Sequence, residues 1–305
     1  MSDRTYDIIR LISAEGGQCD VYEVALLPER RRFAAKFPKA MLAHQEDSRQ
    51  RIAREASHYR RLHSPRPHPH IIQMFELIRW GERDGLVLEL MKDSFANRLD
   101  RGIGDVEKIR AIREAALGLA HLHDHGITHR DMKPSNILQA FDGRSLVSDL
   151  GCATIAGASA LDLTRLSIGT PDLMAPEQHG PRYYADARSD VYGLGTCIAA
   201  AFLGHYPRKL PANDGHGLTI ACGPQLEKVA PAFQHLLRRC LHPDPDARYS
   251  SMREFLAEWD GLTRRGVLVT PPKPTSLVAD LVKGVAVVGL FGFALVAIAA
   301  AIGGK

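Results

Sequence analysis

The sequence predicts an α+β fold of two lobes, sheet-rich first and helix-rich second, followed by a C-terminal transmembrane helix. Three observations carry that prediction. Short runs rich in β-branched and aromatic residues fill most of the first 91 positions, punctuated by Gly16-Gly17 and Pro28. After Met91 the apolar residues recur at helical spacing instead. At the far end, Gly284 to Ile302 is a run of 19 residues without a charged side chain, the length needed to cross hydrocarbon.

Each element has its own local cause. Tyr6 to Ile12, Val21 to Ala25 and Arg32 to Phe37 read as strands. Glu46 to Leu62 reads as a helix, because Ile52, Ala56, Tyr59 and Leu62 share one face. His63 to Pro69 must be a loop, since its three prolines oppose helix at their own positions and at the residues before them. Two further strands fit Ile71 to Trp80 and Gly85 to Leu90, with Glu82-Arg83-Asp84-Gly85 as the turn. Val106, Ile109, Ile112, Ala116, Leu119 and Leu122 make the apolar stripe of a helix ending near Gly126. Helices dominate from Asp190 to Trp259. The expected organisation is a folded domain over 6–262, split near 91/92, a Pro-rich linker over 263–276 and a membrane helix over 277–302.

Composition bounds the rest. The 305 residues are 45% hydrophobic and 24% charged, ordinary for a globular chain. The net charge of +4 comes from scattered Lys and Arg, which argues against nucleic acid as a partner. Five dispersed cysteines without a C-x-x-C pair suit a reducing compartment. Asp3, Arg4, Asp7 and Arg10 exclude a signal peptide at the start. Arg264, Arg265, Lys273 and Lys283 flank the apolar run on the domain side, against Lys305 beyond it. The positive-inside bias therefore places the large domain in the cytoplasm, tail-anchored by a single pass in the cell membrane. A homodimer stays open as a partner; Ala297 and Ala301 offer only one small-x-x-x-small pair.

The chemistry lies in His129-Arg130-Asp131-Met132-Lys133-Pro134-Ser135-Asn136 and the later Asp149-Leu150-Gly151. This set offers a carboxylate for a hydroxyl proton, a lysine for phosphate charge, and an amide plus a carboxylate for a hard metal ion. It resembles the catalytic and metal-binding loops of eukaryotic-type serine/threonine protein kinases, the bacterial membrane-anchored kind in particular. The resemblance implies a two-lobed protein kinase fold that uses ATP with Mg²⁺, or Mn²⁺ in its place, on protein Ser/Thr hydroxyls. It implies Asp131 as catalytic base, Lys133 at the transferred phosphate, and Asn136 and Asp149 as metal ligands.

Further matches extend the resemblance over about Tyr6 to Leu262. Phe33-Ala34-Ala35-Lys36 is similar to the third-strand lysine motif, which implies that Lys36 holds phosphates, Glu55 pairs with it, and Ala34 lies over adenine. By the same resemblance, Ala14, Gly16, Gly17, Val21, Glu89, Met91 and Leu138 complete the ATP site. Gly169 to Glu177 looks like the end of an activation segment, with Glu177 pairing Arg248 and Asp190 bracing the loop around His129 and Arg130. Arg130 beside Asp131 implies control by phosphorylation. Thr154, Ser159, Thr164, Ser167 and Thr170 are the candidate acceptors, Thr164 and Ser167 first, because Thr170 is expected to pack against Asp131.

Two departures stand out. The glycine-rich loop holds Ala14 and Cys19 where glycine is usual, and Leu150 replaces the usual phenylalanine. A pseudokinase scaffold is therefore the alternative, although Lys36, Asp131 and Asp149 are all kept. A small-molecule phosphotransferase would lack the segment from Thr170 to Glu177, which forms a platform for protein substrate. Zinc binding by His121, His123, His125 and His129, or by His63, His68 and His70, lacks a Cys or carboxylate to complete a tetrahedral set.

Overall fold

The early apolar runs pair into one antiparallel sheet. β1 (Tyr6–Ser13), β2 (Cys19–Leu26), β3 (Arg31–Pro38), β4 (Met74–Trp80) and β5 (Arg83–Leu88) lie in the order β1-β2-β3-β5-β4. The period of two along β3 divides its side chains between two cores. Phe33, Ala35 and Phe37 join Val24 and Val87 in a small apolar cluster, while Ala34 belongs to the main core. Lys36 shares the face of Ala34. α1 (Glu46–Leu62) buries Ile52, Ala56, Tyr59 and Leu62, the face read from the sequence, and the same face carries Glu55.

The turn between β4 and β5 lies elsewhere than expected. Trp80 pairs with Arg83, so the loop is Gly81-Glu82, and Gly81 takes φ +58. Gly85 sits inside β5, where a Cβ would meet the Phe37 ring at 2.4 Å. Its glycine marks a close approach rather than a turn.

The second half is built on helices. β6 (Asp93–Ser94) and α2 (Phe95–Asp100) lead into α3 (Asp105–Asp124). β7 (Ile127–Thr128), β8 (Ile137–Gln139), β9 (Ser145–Val147) and β10 (Thr154–Ile155) are short, pairing as β6-β8-β9 and β10-β7. α4 (Ala187–Leu203) is buried nearly all round, as a central helix must be. α5 (Pro231–Cys240) and α6 (Met252–Arg264) complete the lobe. The stripe of α3 is buried from Ile109 to Leu122, but Val106 is 73% exposed, because the first turn overhangs the core.

Two expectations for this half are corrected. Between α4 and α5 the chain forms an antiparallel hairpin, β11 (Arg208–Pro211) with β12 (Leu218–Ala221), rather than helix. Pro207 and Pro211 lack the amide donors a helix would need there. The linker also begins later than residue 263. Thr263 donates its hydroxyl to the Trp259 carbonyl at 2.9 Å inside α6, and Leu268 is still buried.

The computed structural model describes residues 4–14, 18–42, 45–155, 173–179, 184–211 and 218–268. Met1–Leu268 forms one compact unit. Gly16, Gly17, Ser159, Thr164, Ser167, Thr170, most of the linker and the 277–302 span lie outside the described residues. Among the described residues, no helix is long and apolar enough to cross a membrane.

Candidate active site

β3 and α1 bring Lys36 and Glu55 together between the sheet and the helical half. The Lys36 Nζ donates to both Glu55 carboxylate oxygens at 2.9 Å and to Asp149 Oδ1 at 2.7 Å. One ammonium thus ties a strand, a helix and the Asp149 loop. Burial alone would lower the lysine, but Asp149 and Glu55 outweigh it and raise its pKa well above the ordinary value. Burial likewise pushes Asp149 up, yet Lys36 and Arg51 hold it well below the usual carboxylate range. Burial dominates at Glu55, whose pKa is raised.

The loop that holds His129 to Asn136 runs from β7 to β8. Asp190 of α4 braces it by accepting the backbone amides of His129 and Arg130, each at 2.8 Å. His123 Nε2 reaches the same carboxylate at 2.8 Å. His129 accepts the Asp131 amide at Nδ1, so its Nε2 carries the proton donated to the Ser148 carbonyl at 2.8 Å. Arg130 and Asp149 both adopt left-handed backbone, φ 72 and φ 62, a conformation that costs a side-chain-bearing residue. The bracing around them holds it in place.

Asp131 faces Lys133, whose Nζ lies 2.9 Å from Oδ2. Asn136 donates its amide nitrogen to the Asp131 carbonyl at 2.7 Å, which fixes the side chain and leaves Oδ1 without a donor among the described residues. A free amide oxygen and an ionised carboxylate at Asp149 are hard oxygen donors, the set a magnesium-like ion prefers. The site therefore fits a divalent ion. Val21, Met91 and Leu138 pack, half-buried, against the core that contains Ala34, giving the cleft apolar walls suited to a flat ring. Ala14 is exposed, and its carbonyl accepts Lys39 Nζ at 3.0 Å. Lys39 thus serves the loop, while Lys36 serves the cleft. Glu89 donates its backbone amide to Gln73 at 2.8 Å, and its side chain lines the opposite face of the connection between lobes. Thr154 is buried in β10.

Glu177 and Arg248 form a two-pronged pair, 2.8 Å at each prong. Ser189 donates to the same glutamate at 2.7 Å.

Some functional side chains escape a reading of the sequence. Arg51 lies one turn before Glu55 on α1 and stands beside Gly151 and Cys152, with its Nη2 3.6 Å from the Cys152 sulfur. The i−4 spacing from Glu55 is the signal that could have found it. Gln178 donates to the Arg130 carbonyl at 3.0 Å, and His123 supports Asp190; neither has a periodic signature.

Comparison with known proteins agrees with this geometry. Residues 10–259 match the family model described as the protein kinase domain. Curated relatives include "Probable serine/threonine-protein kinase pknA2" of Bifidobacterium longum, 33% identical over 72% of this chain and 28% of its own length. Serine/threonine-protein kinase PknD of Mycobacterium tuberculosis is 28% identical over 85% of this chain and 40% of its own. Serine/threonine-protein kinase PkaA of Streptomyces coelicolor is 30% identical over 72% and 41%. The chain thus spans well under half the length of these relatives. With the family model covering most of its residues, the chain belongs to the protein kinase domain family.

Proposed function

We propose that this chain is a serine/threonine protein kinase that moves the γ-phosphoryl group of ATP to protein hydroxyls. One observation carries the reading: Lys36, bound to both Glu55 and Asp149, is tied to the Asp131–Lys133–Asn136 cluster through Ser148, the neighbour of Asp149, whose amide donates to the Asn136 carbonyl at 3.0 Å and whose carbonyl accepts His129 Nε2 at 2.8 Å. Asp131 orients the substrate hydroxyl and takes its proton. Lys133, already 2.9 Å from Asp131, offsets charge on the transferring group. Lys36 positions phosphate oxygens while Glu55 keeps its ammonium aimed into the cleft. Mg²⁺, or Mn²⁺ in its place, would be held by Asn136 and Asp149 and supply positive charge against the phosphates.

The names of these relatives, all serine/threonine-protein kinases, support Ser/Thr specificity. The buried Arg130 supports autophosphorylation at Thr164 or Ser167 as a control. The apolar run Gly284 to Ile302 supports a single-pass anchor with the kinase domain in the cytoplasm, where two copies could meet as a homodimer.

The decisive assay compares radiolabel transfer from ATP by the wild type and by Asp131→Asn. Label above background in the wild type alone is the expected result. Equal background in both proteins would favour a scaffold. Phosphopeptide mapping of active protein tests Thr164 and Ser167. Retention of the full chain, and release of one ending at Leu268, in carbonate-washed membranes tests the anchor.

A further inference from the structure

Behind the connection between the lobes, on the face away from Lys36, lies a cavity of about 260 Å³. Its walls are Phe33 of β3, Phe75 of β4, the connecting residues Glu89 and Leu90, and Phe141 from the turn joining β8 to β9. Phe33 and Phe75 pack edge to face with ring centres 4.9 Å apart. Phe141 is 69% exposed, and its turn is hydrogen-bonded on both sides. The Ala140 amide binds the Arg144 carbonyl at 2.8 Å, the Gly143 amide binds Ala140 at 3.0 Å, and Arg144 reaches the Pro69 carbonyl at 2.7 Å. An aromatic side chain presented to solvent on a hydrogen-bonded turn is available for contact.

The mouth of the cavity is basic. Arg30, Arg31 and Arg32 are consecutive and exposed at the start of β3. Arg32 is bonded to Glu23 at 2.8 Å. Arg30 and Arg31 have no side-chain hydrogen bond or ion pair among the described residues. Arg31 lies flat over the Phe33 and Phe75 rings, 5.0 and 5.4 Å from their centres, with its N–H groups pointing to no carboxylate among the described residues. Glu89, the carboxylate in the lining, has Arg144 4.0 Å away.

We propose that this rear cavity docks a protein segment in which a large apolar side chain has carboxylates beside it. Phe141 and the ring edges that Arg31 leaves uncovered take the apolar side chain, and the Arg31 fork takes a carboxylate in the geometry that guanidinium favours. The aromatic lining argues for a side chain over a lipid surface: Phe33 is buried, and a membrane would meet chiefly the exposed ring of Phe141. The docking is independent of phosphoryl transfer and survives if the proposed activity fails.

The test uses the full chain in detergent and a fluorescein-labelled Glu-Glu-Trp-Glu-Asp peptide, monitored by fluorescence polarisation. Arg31→Glu and Phe141→Ala should each weaken binding about tenfold or more, with an unchanged unfolding midpoint. Replacing the peptide tryptophan by alanine should do the same, and Arg31→Glu should gain affinity for a Lys-Lys-Trp-Lys-Lys peptide. Equal affinity in all three proteins, or no binding by the wild type, would overturn the proposal. So would Arg31-dependent binding to phosphatidylserine vesicles without peptide binding, which would assign the surface to lipid.

Discussion

Two buried ion pairs among the described residues are built in opposite ways. Arg248 has every donor nitrogen used: Nε on the His242 carbonyl, Nη1 on Glu177 and the Arg188 carbonyl, Nη2 on Glu177 and the Pro243 carbonyl. It also lies over the Tyr192 ring at 5.0 Å. Lys36 instead spends its donors on two carboxylates from different elements, and Asp149 keeps 37% of its side chain exposed. A point charge on a flexible stem can exchange partners, whereas a planar fork locked by carbonyls cannot. The first pair is therefore built to hold still, and the second is built so that its ammonium can change partners.

The sharpest way to break this contrast is Lys36→Met. Phosphoryl transfer should fall about a hundredfold to a thousandfold or more, read as kcat with labelled ATP, while the urea midpoint falls less than for a locked pair, because Glu55, its pKa already raised by burial, can take up a proton when the ammonium is gone. Arg248→Ala should do the reverse. It strands Glu177 and should cost about 3–5 kcal/mol in urea unfolding, with activity tracking the folded fraction. If both variants lost stability equally, the distinction between the pairs would fail.

Asp190→Asn tests the brace that lies between these extremes. An amide can accept at only one oxygen, so His129, Arg130 and His123 lose charge-assisted bonds worth about 1.5–3 kcal/mol. Both denaturation and kcat should respond.

The smallest effect is expected at His68. Burial, with His121 and His70 nearby, lowers its pKa from 6.5 to about 4. Its ring stacks on His121, centres 4.3 Å apart. Between those pH values the unfolded chain binds a proton that the folded chain refuses, so stability falls as pH drops through that window. His68→Phe should flatten this part of a stability–pH curve, measured by thermal unfolding.

Much of this architecture is legible in the sequence because period and punctuation agree. α1 can be read from Glu46 to Leu62 because its apolar face is regular and Pro65 bars the helix from continuing. The lysine, glutamate and aspartate that meet stand in short motifs whose directions are fixed locally: Lys36 within β3, Glu55 on the buried face of α1, and Asp149 just after β9. The hidden parts depend on tertiary contact. The hairpin over 208–221 has strands of four residues, too short for a period. Gly85 resembles a turn residue because nothing local announces the Phe37 ring above it. Arg31 resembles ordinary surface charge until folding brings Phe75, 44 positions later, beneath it.

The left-handed backbone at Arg130 and Asp149 has a consequence for mutational scanning. Glycine relieves about 1 kcal/mol or more at such a position, so a screen for cellular abundance should rank glycine above alanine at both sites. A screen for phosphoryl transfer should reject it, since the guanidinium and the carboxylate vanish with the strain. Divergence between the two rankings would show where this fold has been shaped against its own conformational preference.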